Sequence, residues 1–334
     1  MELTWRTLDK LDGPEIAGAV SVVEAARAVD SPYMMGWTLS SYAGRLRHGW
    51  DGDAPLIAVT RDEDDRVTGV GELVLPQWDN RHIALFGIAV DPAARRRGLG
   101  RALFHAAVEE ARARGRTVIM SECAEGSAGE PFFPAMGLAR AYVAVQRRQD
   151  LRAVDWDWLD EQYADAQRHA EGYDLVRLPG AVPDELLPDI VTMTEAINDA
   201  PTDELDVEDE VFSPERVRLF EAAHAARNRR LYRIVARQRD TGVLAGHTVV
   251  GVDAERPWHG WQYDTSVVRA HRGHRLGLLL KIAMMRWLRE DEPQVRTVDT
   301  TNAASNRHMI QVNEAIGYRV VGRMIEWQRR LDAA

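Results

Sequence analysis

Ile88-Ala89-Val90-Asp91-Pro92-Ala93-Ala94-Arg95-Arg96-Arg97-Gly98-Leu99-Gly100-Arg101-Ala102-Leu103 decides how this chain is read, because the pattern returns. Its second appearance is Ser266-Val267-Val268-Arg269-Ala270-His271-Arg272-Gly273-His274-Arg275-Leu276-Gly277-Leu278-Leu279-Leu280. Arg95 and Arg272 are 177 positions apart in a chain of 334. Each copy passes from an apolar strand, through a basic turn containing Gly, into an amphipathic helix. A helix N-terminus leaves its first N–H groups without partners, and Gly lets backbone approach a ligand closely, so each copy reads as an anion site.

The flanking elements repeat as well. In the first half, Leu3–Leu8 reads as an opening strand, residues 14–29 and 38–48 as helices, and 55–60 with 67–75 as a hairpin. Residues 82–90, 98–114 and 117–123 then read as strand, helix and strand. In the second half the same order is a strand at 173–178, helices at 184–198 and 213–226, and a hairpin of 231–237 with 243–252. A strand at 260–268, the helix bearing Leu276, Leu280, Met284 and Trp287, a strand at 295–301, a helix at 305–316 and a strand at 318–329 complete it. Residues 1–150 and 173–334 are therefore two domains. Residues 151–172, with Trp156, Trp158 and Tyr163, form a packed helical connector. The pattern predicts α+β domains, each a mostly antiparallel sheet flanked by helices.

Composition narrows the function. A net charge of −10 argues against nucleic acid as a partner. The one cysteine, Cys123, excludes an intrachain disulfide and a multi-cysteine zinc site, and fits a reducing cytoplasm. No apolar run approaches the roughly 18 residues that span a bilayer, so no membrane association is expected. His271 and His274 lack a third ligand nearby, and no metal is assigned. Lys occurs only at positions 10 and 281.

The run Arg95-Arg96-Arg97-Gly98-Leu99-Gly100 resembles the Arg-x-x-Gly-x-Gly turn of the GNAT superfamily of acetyl-CoA-dependent N-acetyltransferases. A Walker A loop would require Gly-Lys-Ser/Thr, and a dinucleotide fingerprint a third Gly near Leu103. The resemblance covers nearly the whole chain as two tandem GNAT domains. It implies that coenzyme A is held by Ile88, Ala89, Val90, Arg95, Arg96, Arg97, Gly98, Leu99, Gly100 and Arg101 in the first copy. In the second copy it implies Val267, Val268, Arg272, Gly273, His274, Arg275, Leu276 and Gly277, joined by Asn302 and Asn306. Arg275 stands where the middle Gly is expected, which makes the second phosphate cradle the poorer one.

The acceptor ends differ in the opposite sense. Asn306-Arg307-His308-Met309-Ile310-Gln311-Val312-Asn313-Glu314-Ala315-Ile316-Gly317-Tyr318 keeps the family's Asn and its closing Gly-aromatic pair, with Asn313 where a tyrosine acid often stands. Gly126 and Phe133 occupy the matching places in the first half, and two prolines there imply a short helix. Asp264 and Glu72 are the candidate general bases. The acidic run 198–210 falls where the fold covers an acceptor. The layout is similar to that of mycothiol synthase, a tandem member of the family, although no motif here is specific to that enzyme. The resemblance implies N-acetylation of a small-molecule amine by a monomer or homodimer, with the chemistry in the C-terminal domain. A non-catalytic acyl-CoA-binding protein and activity confined to the N-terminal domain are the alternatives.

Overall fold

The computed structural model describes residues 3–332. They form two compact units, and neither is contiguous in sequence. Of these, the first unit takes 3–145, Thr202–Asp209 and 322–332; the second takes Gln146–Pro201 and Glu210–Val321.

The first unit contains α1 (Gly13–Asp30), α2 (Leu39–His48), β1 (Leu56–Arg61), β2 (Val67–Val74), β3 (Ile83–Val90), α3 (Leu99–Ala113), β4 (Val118–Ala124) and α4 (Gly129–Ala135). It also holds the first part of β5 (Ala139–Asp150) and most of β11 (Arg319–Arg330). The helices start where capping groups allow. Asp12 accepts from the Glu15 N–H at 2.7 Å, and Thr38 and Ser41 form a reciprocal capping box; such caps are worth about 1 kcal/mol each. The strand order is β1-β2-β3-β4-β11-β5. One face packs Leu103, Phe104, Ala107 and Ala111 of α3 against Phe86, Ile119 and Ile325. The other packs Ala19, Val22, Tyr42 and Leu46 of α1 and α2 against Ile57 and Val70.

The second unit contains the rest of β5, then α5 (Trp156–His169), β6 (Tyr173–Pro179), α6 (Leu187–Thr194), α7 (Pro214–Ala226), β7 (Arg229–Gln238), β8 (Leu244–Asp253), β9 (His259–Val267), α8 (Leu276–Asp291), β10 (Thr297–Ala303) and α9 (Arg307–Ala315). Its order is β5-β10-β9-β8-β7-β6. Helix α8 carries the larger core, and α6 and α7 cover the opposite face by packing Ile190, Met193 and Val217 against Val235 of β7.

Several expectations are corrected. Residues 3–8 make only an isolated bridge, Arg6 to Ile57, because a short 3-10 turn begins at Leu8. The helix expected over 184–198 breaks into 3-10, α and 3-10 pieces, with Pro188 in the first turn of the α portion. The connector helix α5 belongs to the second unit, with Leu159 and Ala166 in its core. The C-terminal strand returns to the first unit, where β11 runs antiparallel to β4 from Met324–Ala124 to Arg330–Val118. Part of the acidic run also joins the first unit: Leu205 and Val207 pack on Ile83, Val118 and Met120. Gln328 accepts from the Asp206 N–H, and Arg330 pairs with Asp206.

Candidate functional site

In each unit a parallel strand pair opens partway along. β3 and β4 pair only through Ile83–Val118, Ala84–Ile119 and Leu85–Met120. β9 and β10 pair only through His259–Thr297, Gly260–Val298 and Trp261–Asp299. The next residue pair in each unit is linked through a hydroxyl. Ser121 Oγ donates to the Phe86 carbonyl at 2.6 Å, and Thr300 Oγ1 donates to the Gln262 carbonyl at 3.3 Å. Beyond that point the inner edges of β3 (Phe86–Val90) and β9 have no strand partner among the described residues. Ile88, Ala89, Val90 and Val267 lie on this open stretch, and Val268 follows it. A free strand edge can pair with an extended amide-bearing ligand.

Both openings lead to the basic turns, whose backbones match. The first turn takes positive φ at Arg96 (65°) and Gly98 (86°); the second takes it at Gly273 (88°) and Arg275 (54°). These are equivalent positions, so Gly and Arg have exchanged places while the conformation is kept. Arg275 is thus accommodated rather than disruptive, and each turn holds one Arg in a conformation that favours Gly. The first intrahelical bonds are Ala102 N–H to Gly98 and Leu279 N–H to Arg275, both 3.0 Å. The amides of Leu99, Gly100 and Arg101, and of Leu276, Gly277 and Leu278, therefore start their helices without i−4 partners. The Leu276 side chain itself is core.

The side chains divide the two turns. Arg95 Nε donates to the Val90 carbonyl at 3.2 Å, and its guanidinium clasps both carboxylate oxygens of Asp30 at the end of α1. Arg272 Nε likewise donates to the Val267 carbonyl at 3.0 Å, and its Nη2 donates to one carboxylate oxygen of Asp199, the other being taken by Arg269. This first Arg is a latch in both units, tying the turn to an Asp of a neighbouring helical segment. Past the latch the equivalence ends. Arg96, Arg97 and Arg101 are exposed and have no carboxylate partner among the described residues. In the second turn Arg269 pairs with Asp199, Arg275 with Asp165, and His274 Nδ1 lies 3.2 Å from the His169 carbonyl. Asp199, bonded by Arg269 and Arg272, is held below the usual carboxylate range. His271 meets the Tyr173 hydroxyl at 2.9 Å.

The open face of the first unit, beneath α1 and α2, is rich in carboxylates. Glu72 accepts from the Tyr42 hydroxyl at 2.5 Å and pairs with Arg45, which makes it structural rather than a base. Glu122 on β4 stands directly opposite Glu326 on β11. Burial, and then the charge of Glu122, push the Glu326 carboxyl up to about 7. Glu122 is itself raised by the surrounding protein, with Arg45 pulling it back. Tyr142 on β5 is pushed up to about 12 by burial and by Glu326 and Asp203, so its phenol stays protonated at neutral pH. Tyr33 donates to the Arg323 carbonyl at 3.1 Å, its ring packed over Gly322, where no Cβ would fit. Sequence reasoning missed Glu326 because it is 204 positions from Glu122; only the strand return joins them.

The second unit has a β-bulge. Opposite Thr248–Val250 the β9 register slips, so Tyr263 and Asp264 face one residue, Val249. Asp264 is partly exposed; the dense protein around it raises its carboxyl and Arg233 opposes that. Asn313 corrects an expectation. It is fully buried, and its amide donates to Asn302 Oδ1 at 2.7 Å, so it ties α9 to β10 rather than facing a cleft. Asn306 caps α9 by accepting from Met309 N–H at 3.1 Å.

Two units of β-hairpin, splayed parallel strands and a basic turn opening a helix define a tandem GNAT fold. Comparison with known proteins agrees: residues 24–137 match the Acetyltransferase (GNAT) family. A tandem GNAT protein from the clavulanic acid biosynthesis pathway is 28% identical, with a TM-score of 0.79 over 98% of each chain. A GCN5-related N-acetyltransferase from Sphaerobacter thermophilus is 15% identical, with a TM-score of 0.68 over 98% of this chain and 95% of that one. Comparison with curated protein sequences returns no significant match. The chain is a tandem GNAT-fold protein. Among the described residues no helix is long and apolar enough to cross a membrane.

Proposed function

We propose that this protein is an acetyl-CoA-dependent N-acetyltransferase of a small amine, and that the chemistry belongs to the first unit rather than the second. The observation that carries the choice is the state of the arginines: Arg96, Arg97 and Arg101 have no carboxylate partner among the described residues, whereas Arg269, Arg272 and Arg275 are neutralised by Asp199 and Asp165. A dianionic pyrophosphate favours the turn whose charge is still available. The match of residues 24–137 to the acetyltransferase family supports the same unit.

The residues fit the coenzyme. The amides of Leu99, Gly100 and Arg101, with the Arg96, Arg97 and Arg101 side chains, would hold the pyrophosphate. The open edge of β3 would pair with the pantetheine amides. Acetyl-CoA supplies an activated acyl thioester when bound. Glu326 accepts the proton that an ammonium acceptor must lose before attack, and its raised pKa suits that task near neutrality. Glu122 keeps that pKa high and draws the cationic acceptor to the face. Tyr142 retains a proton that it can give.

The test is Gly98→Glu beside Gly277→Glu, with acetyl-CoA turnover measured against a panel of small amines. Gly98 has positive φ and open space at its Cβ position. Glu there adds strain and negative charge, and turnover at fixed acetyl-CoA should fall about 100-fold. Gly277→Glu should leave turnover within about twofold. Loss only in Gly277→Glu would move the chemistry to the second unit, and loss in neither would remove the enzyme reading.

A further inference from the structure

The second unit buries a cation that makes no direct ion pair among the described residues; Glu221 and Asp264 are the charges that act on it, from farther away. Arg233, at the centre of β7, is 6% exposed. Its one hydrogen bond is Nη1 to His247 Nδ1 on β8, at 2.9 Å, and no carboxylate lies within ion-pair distance among the described residues. A guanidinium only donates, so His247 Nδ1 accepts and the neutral ring carries its proton on Nε2. That Nε2 is buried and has no partner among the described residues. Ser266, opposite His247 on β9, also has a buried hydroxyl without a partner. His247 and Ser266 are 1% and 6% exposed.

These three residues share the sheet face covered by α6 and α7. Val235, two residues along β7 from Arg233, packs there against Ile190 and Met193, and pairs directly with His247. The repeat shows what an ordinary core would place at these points. Aligning the ladders from the turn puts Ile57, Val70 and Ala89 of the first unit where Arg233, His247 and Ser266 stand. Ile57 and Val70 belong to a closed apolar cluster, with Ala89 packed against it. Three apolar residues have thus become a guanidinium, an imidazole N–H donor and a hydroxyl. Buried polar groups without partners are costly, and a core gains nothing from them unless a ligand completes them.

The neighbouring charges specify that ligand. Glu221 is already committed, accepting from the Val182 N–H at 2.8 Å and from Arg218 at 2.6 Å. The bulge at Tyr263 and Asp264 sets Asp264 on the same face as Ser266, where it remains partly exposed. We propose that this face of the second unit is a recognition site for a small amino carboxylate. Its carboxylate is bound by Arg233, His247 Nε2–H and the Ser266 hydroxyl, and its ammonium by Asp264. The site is independent of acetyl transfer in the first unit.

Isothermal titration calorimetry on the full chain tests this, with glycine and L-alanine as probes and with acetate and ethylamine as single-charge controls. Wild-type protein should bind at least one amino acid saturably, acetate at least about tenfold more weakly, and ethylamine not at all. Arg233→Met should weaken amino-acid binding at least about 100-fold. Arg233→Ile/His247→Val/Ser266→Ala, which installs the first unit's residues, should abolish binding with a Tm at or above wild type. Should either variant fail to fold, Ser266→Ala with the wild-type titrations decides, and it should lose about tenfold. The proposal falls if neither amino acid saturates the wild type below about 10 mM. It also falls if ethylamine binds as well as the amino acids, or if a folded Arg233→Met, or Ser266→Ala in its place, binds like wild type.

Discussion

The turns at Arg95 and Arg272 share a backbone and differ in charge. Both latch their first Arg to an Asp, both use two positive-φ residues, and both begin a helix with free amides. Only the first leaves its remaining arginines without carboxylate partners. The same divergence recurs elsewhere. Phe104 is fully buried on α3, while Lys281 takes the equivalent place on α8, its Nζ 5.1 Å from the Tyr318 ring centre. Ile57, Val70 and Ala89 become Arg233, His247 and Ser266. Duplication preserved the framework, and side-chain exchange then gave one copy a solvated cationic turn and the other a polar interior. A backbone match alone therefore does not make two anion sites equal.

The comparison breaks most directly at Glu326. Glu326→Gln should lower kcat by about 10²- to 10⁴-fold in steady-state assays with the preferred amine. Because the base must be deprotonated and its pKa is pushed up to about 7, wild-type kcat/KM should climb as pH rises through about 7. Glu122→Gln removes the neighbouring negative charge, so that limb should move to lower pH. Full activity in Glu326→Gln, together with loss in Asp264→Asn, would reverse the assignment of the units.

A smaller effect separates the turns. Arg96→Ala, Arg97→Ala and Arg101→Ala should each raise the acetyl-CoA KM about 3- to 10-fold, the worth of one charge-assisted contact. Arg269→Ala and Arg275→Ala should leave it unchanged. Equal responses in the two sets would show both turns holding coenzyme.

The smallest concerns the second unit's helix core. Burial pulls the Lys281 amine down to about 7 from its usual 10.5. Between those values the unfolded chain binds a proton that the folded chain does not, so stability should rise as pH increases from about 7 to 10.5. Lys281→Met should flatten this slope in urea titrations and raise stability at pH 7 by about 1–3 kcal/mol. A destabilised Lys281→Met would mean that the amine has a structural role which Phe104 does not share.

The fold was legible because its evidence is local and periodic. Strand–turn–helix order, Gly98 and Gly100, the Ser213 cap and the hairpins all act within a few residues. The candidate base was not legible, since Glu326 gains its role from Glu122 on a distant strand. Glu72 was legible as a carboxylate but not as the partner of Tyr42 and Arg45. Asn313 matched a motif position, yet burial and Asn302 give its amide another use.

By itself the sequence determined the tandem GNAT architecture and the existence of two basic turns, because spacing, Gly placement and helix starts are short-range properties of the chain. The tertiary structure decided which turn keeps its charge and which strands make each cleft. It returned most of β11 and residues 202–209 to the first unit, and it buried Arg233 without a direct ion pair among the described residues. Those outcomes depend on ion pairs, burial and strand exchange between residues dozens to hundreds of positions apart, and no local pattern encodes them.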